Sequence, residues 1–327
     1  MRWRKAAITG GTSLAAAATL NALATRGVAP LENEIGGTDG WFTWRRHRIA
    51  FTRRGAGRPL LLVHGIHAGA WSYEWRHVAD ALAVSNTVYT IDLLGFGRSD
   101  RPALKYTAGL YQSLVTDFAV RVIGEPTVLV ASSLSGAHAV MLAARDAERW
   151  PALVLSVPTG VSQLRDQPGA LAETLRLLVE SPVLGTAMYN ALVTRSAIRH
   201  FLEPLYADPS LVTAELVAAF YASSHQPGAK HALAAFVSGQ LNVDVRQALR
   251  RLQQPTLVVW GKQARQSPVE QAHSFRVLKA DVRLELLDRC GDLPHDEQAE
   301  RFSELTLDFL IERQKPRVLP FRGKRAG

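Results

Sequence analysis

The stretch 128–140, VLVASSLSGAHAV, constrains the fold more than any other part of the chain. A strand-length apolar run, Val128 to Ala131, passes through two serines into an Ala-rich helical pattern. So abrupt a change of period needs a sharp junction, and a sharp junction brings the strand and helix backbones too close for large side chains. Ala131, Ser135 and Gly136 are small where that crowding falls. In this register Ser133 occupies the apex, with its hydroxyl pushed clear of the backbone. Such a turn is how a chain presents a nucleophilic serine.

The flanking sequence supports a layered α/β architecture. Short apolar runs at 41–44, 48–53, 59–63, 87–93, 127–131, 152–157, 255–260 and 282–287 read as strands. Helical patterns separate them at 71–82, 110–123, 134–147, after Pro268, and from 294 to 313. This alternation predicts a mostly parallel sheet covered by helices on both faces. Between 161 and 242 the rhythm changes to helical periodicity punctuated by prolines, with no strand pattern, and this reads as an inserted helical segment. The expected divisions are 27–160 and 243–313 for the two parts of the core, 161–242 for the insertion, and 314–327 for a basic tail.

At 327 residues with 47% hydrophobic and 20% charged residues, the chain suits one large core with an insertion. Its net charge of +9 comes largely from the ends. The tail holds Arg313, Lys315, Arg317, Arg322, Lys324 and Arg325 without an acidic residue, and Arg45, Arg46, Arg48, Arg53 and Arg54 cluster near the start of the core. No nucleic-acid motif accompanies them, so nucleic acid is not expected as a partner. The single cysteine, Cys290, excludes an intramolecular disulfide and a cysteine-based metal cluster. No His or carboxylate grouping has metal-ligand spacing, and no glycine-rich loop joins a strand to a helix in the manner of a nucleotide site, so no metal or cofactor is expected. Arg2, Arg4 and Lys5 precede an uncharged stretch ending in Ala22-Leu23-Ala24. Residues 1–26 therefore read as a signal peptide or membrane anchor, implying export or membrane association; a cytoplasmic location is the alternative.

Four motifs in order, LLLVHGIHAGAW, VYTIDLLGFGRSDRP, the serine turn and TLVVWG, resemble those of the α/β-hydrolase superfamily over residues 41–313. The resemblance implies an eight-stranded, mostly parallel sheet with a helical lid inserted after the sixth strand. It implies Ser133 as nucleophile, and the backbone amides of Leu134 and Ile66 as the oxyanion hole that stabilises charge on a carbonyl oxygen under attack. Gly65 lets the backbone approach there. Asp92, Gly95 and Gly97 are expected to shape a loop, His64 to fix one, and His138 to pack behind the turn.

Two catalytic positions depart from the family's pattern. The acid of WGxxDxxxP falls on Ala264, and the histidine of GHxPHxE falls on Asp292. A serine hydroxyl without a base in reach is a poor nucleophile, and an ordinary aspartate is a weak base at neutral pH. His295, three residues beyond, is the candidate substitute base, with Asp292 or Asp288 orienting it; the competing reading has His295 only packing at a helix start. His67, His225 and His231 are weaker candidates. Aromatic residues of the insertion (Tyr189, Phe201, Tyr206, Phe220, Tyr221 and Phe236, with Met188) predict a small-to-medium apolar ligand. Two functions follow: hydrolysis of an ester-like or other carbonyl substrate through Ser133, or, in a non-hydrolytic relative, binding of an apolar ligand or partner. Oligomeric state is not legible.

Overall fold

Strands rich in Val, Leu and Ile whose neighbours alternate between two faces require cover on both sides. That is what the computed structural model shows for residues 28–312, the described part of the chain. The signal-or-anchor segment and the basic tail lie outside the described residues. Among the described residues no helix is long and apolar enough to cross a membrane.

Eight strands form one sheet: β1 (Thr38–Trp44), β2 (His47–Arg54), β3 (Arg58–Val63), β4 (Asn86–Ile91), β5 (Val128–Ser132), β6 (Leu153–Ser156), β7 (Thr256–Gly261) and β8 (Arg283–Leu287), in spatial order β1-β2-β4-β3-β5-β6-β7-β8. β2 pairs antiparallel with β1 and β4, and every other pair is parallel. The period-2 alternation sorts the core. Leu61, Val63, Leu129 and Ala131 face one side, with Leu114 and Val140. Leu60, Leu62, Val128 and Val130 face the other, with Trp75, Leu82 and Phe302.

The helices are α1 (Ala79–Ala83), α2 (Ala108–Phe118), α3 (Ser133–Ala143), α4 (Ala172–Glu180), α5 (Leu184–Leu192), α6 (Arg195–Leu202), α7 (Ala214–Ser224), α8 (Lys230–Val237), α9 (Arg246–Arg251), α10 (Glu270–Leu278), α11 (Pro294–Glu297) and α12 (Ala299–Glu312). α4 to α8 fall in the segment 161–242, as its proline-punctuated helical period predicts. The single helix expected over 71–82 is instead two pieces, a tight turn at Ser72–Trp75 and then α1. Asp92 captures the Ser72 amide at 2.8 Å, and the first piece is turned so that Glu74 points inward.

β7 ends at Gly261, a position where nothing larger fits. A methyl group there would lie 2.0 Å from the Gly291 carbonyl oxygen and 2.2 Å from that of Cys290. Both are backbone atoms. Gly261→Ala is expected to lower the urea midpoint by the equivalent of about 3 kcal/mol with an unchanged slope. A midpoint equal to that of the wild type would show that the contact is easily relieved.

Candidate active site

β5 passes into α3 without a linking residue, and Ser133 takes φ +49°, a left-handed conformation unusual for a side chain with a Cβ. Strain of this sort costs on the order of 1 kcal/mol and persists where its surroundings enforce it. The surroundings are tight. A Cβ on Gly136 would lie 3.0 Å from Pro158, and the Thr159 amide donates to the Ser133 carbonyl at 3.2 Å. Ser133 opens on a cavity of about 120 Å³ that also meets Ile66, Glu74, Thr159, Phe201 and Phe236. Its hydroxyl makes no hydrogen bond to any described residue.

The loop 64–67 is fastened against this turn from three directions. The Ser135 hydroxyl donates to the His64 carbonyl at 2.6 Å. His64 Nε2 accepts from the Leu93 amide at 3.1 Å, leaving Nδ1 to donate to the Gly65 carbonyl at 2.6 Å. The Gly65 amide donates to Glu74 Oε2 at 2.9 Å. A Cβ on Gly65 would lie 3.1 Å from Ser132 Oγ, a tight contact that glycine relieves where the loop lies close. The amides of Ile66, in the loop, and of Leu134, in the first turn of α3, have no protein acceptor among the described residues. These are the two donors expected from the sequence.

Glu74 was not among the residues singled out from the sequence, yet it organises the floor of the site. It is 5% exposed. One oxygen takes the Gly65 amide; the other accepts the Ser132 hydroxyl and lies 2.9 Å from His295 Nε2. The approach to the imidazole is off the N–H axis, so the contact is close without being a well-formed hydrogen bond. Because a carboxylate only accepts, the imidazole hydrogen belongs on Nε2, leaving Nδ1 to accept from the Ser156 hydroxyl at 2.8 Å. Burial pushes Glu74 upward, but His295, His67 and the Ser132 hydroxyl outweigh it and hold the carboxyl down at about 2. The available signal was a lone acid inside the aromatic run Trp71-Ser72-Tyr73-Glu74-Trp75.

His295 is fully buried and wedged between Trp75, ring centroids 4.5 Å apart, and Phe302, 5.9 Å apart. Its nitrogens face Ser156 and Glu74, and no hydrogen bond joins it to Ser133. Asp292 does line the Ser133 cavity, but its carboxylate accepts from the amides of Arg265, Gln266 and Ser267 at 2.9, 3.0 and 2.8 Å. Burial raises its proton affinity and the three amides oppose the rise. The close approach of Gly261 to Gly291 makes this clasp possible. Asp288 pairs instead with Lys262 at 2.8 Å, on the surface. The same stretch of chain also grips the helical segment: the Asp292 amide donates to the Leu205 carbonyl at 2.6 Å, Glu297 accepts from the amides of Ala207 and Asp208, and Tyr206 bonds to Asp296.

The other histidines pack. His138 Nε2 lies 2.9 Å from the Leu241 carbonyl, and burial lowers its pKa to about 4. His67 stacks on Phe220, with centroids 5.4 Å apart and planes 8° from parallel. His225 stacks on Tyr221, while His231 Nδ1 is buried without a partner. Asp92, as expected, ties a loop, accepting from the amides of Ser72 and Arg98. Of the insertion's aromatic residues, Phe201 and Phe236 reach the cavity, and Tyr189, Tyr206 and Phe220 build the insertion's own core.

Comparison with known proteins places this arrangement in context. The chain is 32% identical over 272 residues to a 2-hydroxymuconate semialdehyde hydrolase of Pseudomonas sp. (strain CF600), an alignment covering 79% of this chain and 88% of that one. It is 28% identical over 272 residues to a 2-hydroxy-6-oxo-6-phenylhexa-2,4-dienoate hydrolase of Burkholderia cepacia, covering 80% and 91%. The crystal structure of a serine hydrolase involved in carbazole degradation superposes with a TM-score of 0.72 at 25% identity, over 85% of this chain and all of that one. The model of the alpha/beta hydrolase family matches residues 60–305, and with the sheet order and the strained serine turn this makes the chain a member of that family.

Proposed function

We propose that the chain hydrolyses a small, largely apolar carbonyl compound, with Ser133 as nucleophile and the Ile66 and Leu134 amides as oxyanion donors. The observation that carries this is a serine held at φ +49° on a cavity, beside two amides that no described residue uses. Attack by Ser133 Oγ on the carbonyl carbon forms a tetrahedral oxyanion, which the two N–H groups stabilise. Collapse expels the leaving group, which carries away the serine proton, and water then releases the acyl group. The named substrates of the relatives are carbonyl compounds, and esters and ketones share this first step. Phe201, Leu205 and Phe236 make the helical segment the lid over the site and favour an apolar acyl part.

The proton acceptor sets this member apart. Asp292 is committed to the 265–267 amides and serves the shape of the loop. His295 is the base in this proposal, and it reaches the hydroxyl only by giving up Glu74, so turnover is slow. A fluorophosphonate probe is expected to label the wild-type protein at Ser133, and Ser133→Ala is expected to abolish labelling and lower ester hydrolysis by at least about 10³-fold. Equal hydrolysis by wild type and variant, without labelling of either, would refute the serine mechanism. A second reading, ligand binding without hydrolysis, is favoured by the engagement of both His295 nitrogens away from Ser133. It requires a protein that binds its ligand and is never labelled.

A further inference from the structure

The cavity has a charge pattern and an unused hydroxyl that hydrolysis alone does not explain. Two carboxylates line it, Glu74 and Asp292, and no arginine or lysine does. The imidazole of His67 also faces it, but burial lowers its proton affinity more than Glu74 raises it, so it adds no positive charge at neutral pH. Thr159 Oγ1 is buried without a partner in a residue 6% exposed that lines the same cavity. A buried hydroxyl left unpaired is destabilising, and one that persists calls for a partner or a role. The backbone that carries it is fixed, because the Thr159 amide is bonded to the Ser133 carbonyl, and only the side-chain torsion is free to bring the hydroxyl to a ligand.

We propose that the Ser133 cavity takes an uncharged carbonyl compound whose second polar group pairs with Thr159 Oγ1, and that it rejects carboxylates. The proposal rests on the Ser133 reading above and adds the substrate class. It separates this chain from relatives named for hydrolysis of a dienoate, an anion by name. An anion entering this cavity meets the ionised Glu74 with no countercharge on the walls. At about 6 Å and an effective dielectric constant near 20, that repulsion is worth about a hundredfold in affinity.

The test compares two ligands of the same shape, 5-oxohexanamide and 5-oxohexanoate, by titration calorimetry on the full chain at neutral pH. The amide is expected to bind at least about tenfold more tightly than the acid. Thr159→Val should weaken the amide about tenfold and leave the acid unchanged, and Thr159→Ser should restore it. Valine has the shape of threonine, and the backbone bond to Ser133 survives. Binding of the acid as tight as that of the amide, no binding of either, or an amide affinity indifferent to Thr159→Val overturns the proposal. Fluorophosphonate labelling of Ser133 is measured in parallel: a preference for the amide without labelling sinks the hydrolase reading alone.

Discussion

Glu74→Gln is expected to destabilise the protein by about 3–5 kcal/mol, the largest single-residue loss among the polar groups of the site. The substitution keeps the shape and removes the charge. In either orientation the new amide group sets N–H against N–H: at Gly65 if it points one way, at His295 if it points the other. For a domain of this size the melting temperature should fall by about 6–15 °C at pH 7. The pH dependence identifies the cause. Glu74 is held at about 2, below its ordinary 4.5, so its contribution is fully present above pH 4.5 and is lost as pH falls through about 2. That displacement corresponds to about 3 kcal/mol. The gap between wild type and variant should therefore close between pH 4.5 and 2. An earlier loss is common to both proteins. Burial holds His138 at about 4, below its ordinary 6.5, so its contribution is present above pH 6.5 and fades as pH falls towards 4. A variant melting within 2 °C of the wild type, or a gap that persists at pH 2, would remove Glu74 from this role.

Asp292→His combined with Ala264→Asp is expected to raise ester hydrolysis by at least about a hundredfold, because it returns an imidazole and a carboxylate to the two positions that depart from the family pattern. The single change Asp292→His should be costly. It strips the Arg265, Gln266 and Ser267 amides of their shared acceptor, at about 1 kcal/mol or more for each. An aspartate at 264 offsets part of this, since a short acid accepts readily from amides one or two residues on. The baseline then separates the two functions: a gain over measurable, Ser133-dependent hydrolysis supports a slow enzyme, and a gain over none supports a binding protein. A folded double variant with no gain would show that Ser133 and its flanking amides are not in reactive geometry.

Where function rests on local crowding, the sequence was legible. Small residues around Ser133 announced the turn, and apolar runs with alternating faces announced the sheet. The loop glycines pointed to the close approach at Gly65. The helix expected over 71–82 shows where local pattern fails. Trp71, Trp75, Val78 and Leu82 do have helical spacing, but from 71 to 78 the chain winds through tighter i→i+3 bonds, Glu74, Arg76 and Val78 amides to the Trp71, Tyr73 and Trp75 carbonyls, and turns α-helical only at Ala79. Glu74 was invisible for another reason: its partners are Gly65, Ser132, 58 residues away, and His295 near the far end of the chain, and none is implied by the residues beside it. Asp292 read as a missing histidine. That it had become the acceptor for three amides depends on Gly261 and Gly291 meeting, which only the folded chain displays.

The grip of residues 291–297 on the stretch 205–208 also dictates how a guest enters. That border is riveted to the core by backbone and carboxylate bonds, so it behaves as the hinge side of a door. α4, elsewhere in the same segment, has no fully buried residue. If the segment moves to admit a ligand to Ser133, the bonded border is expected to set the axis of that movement.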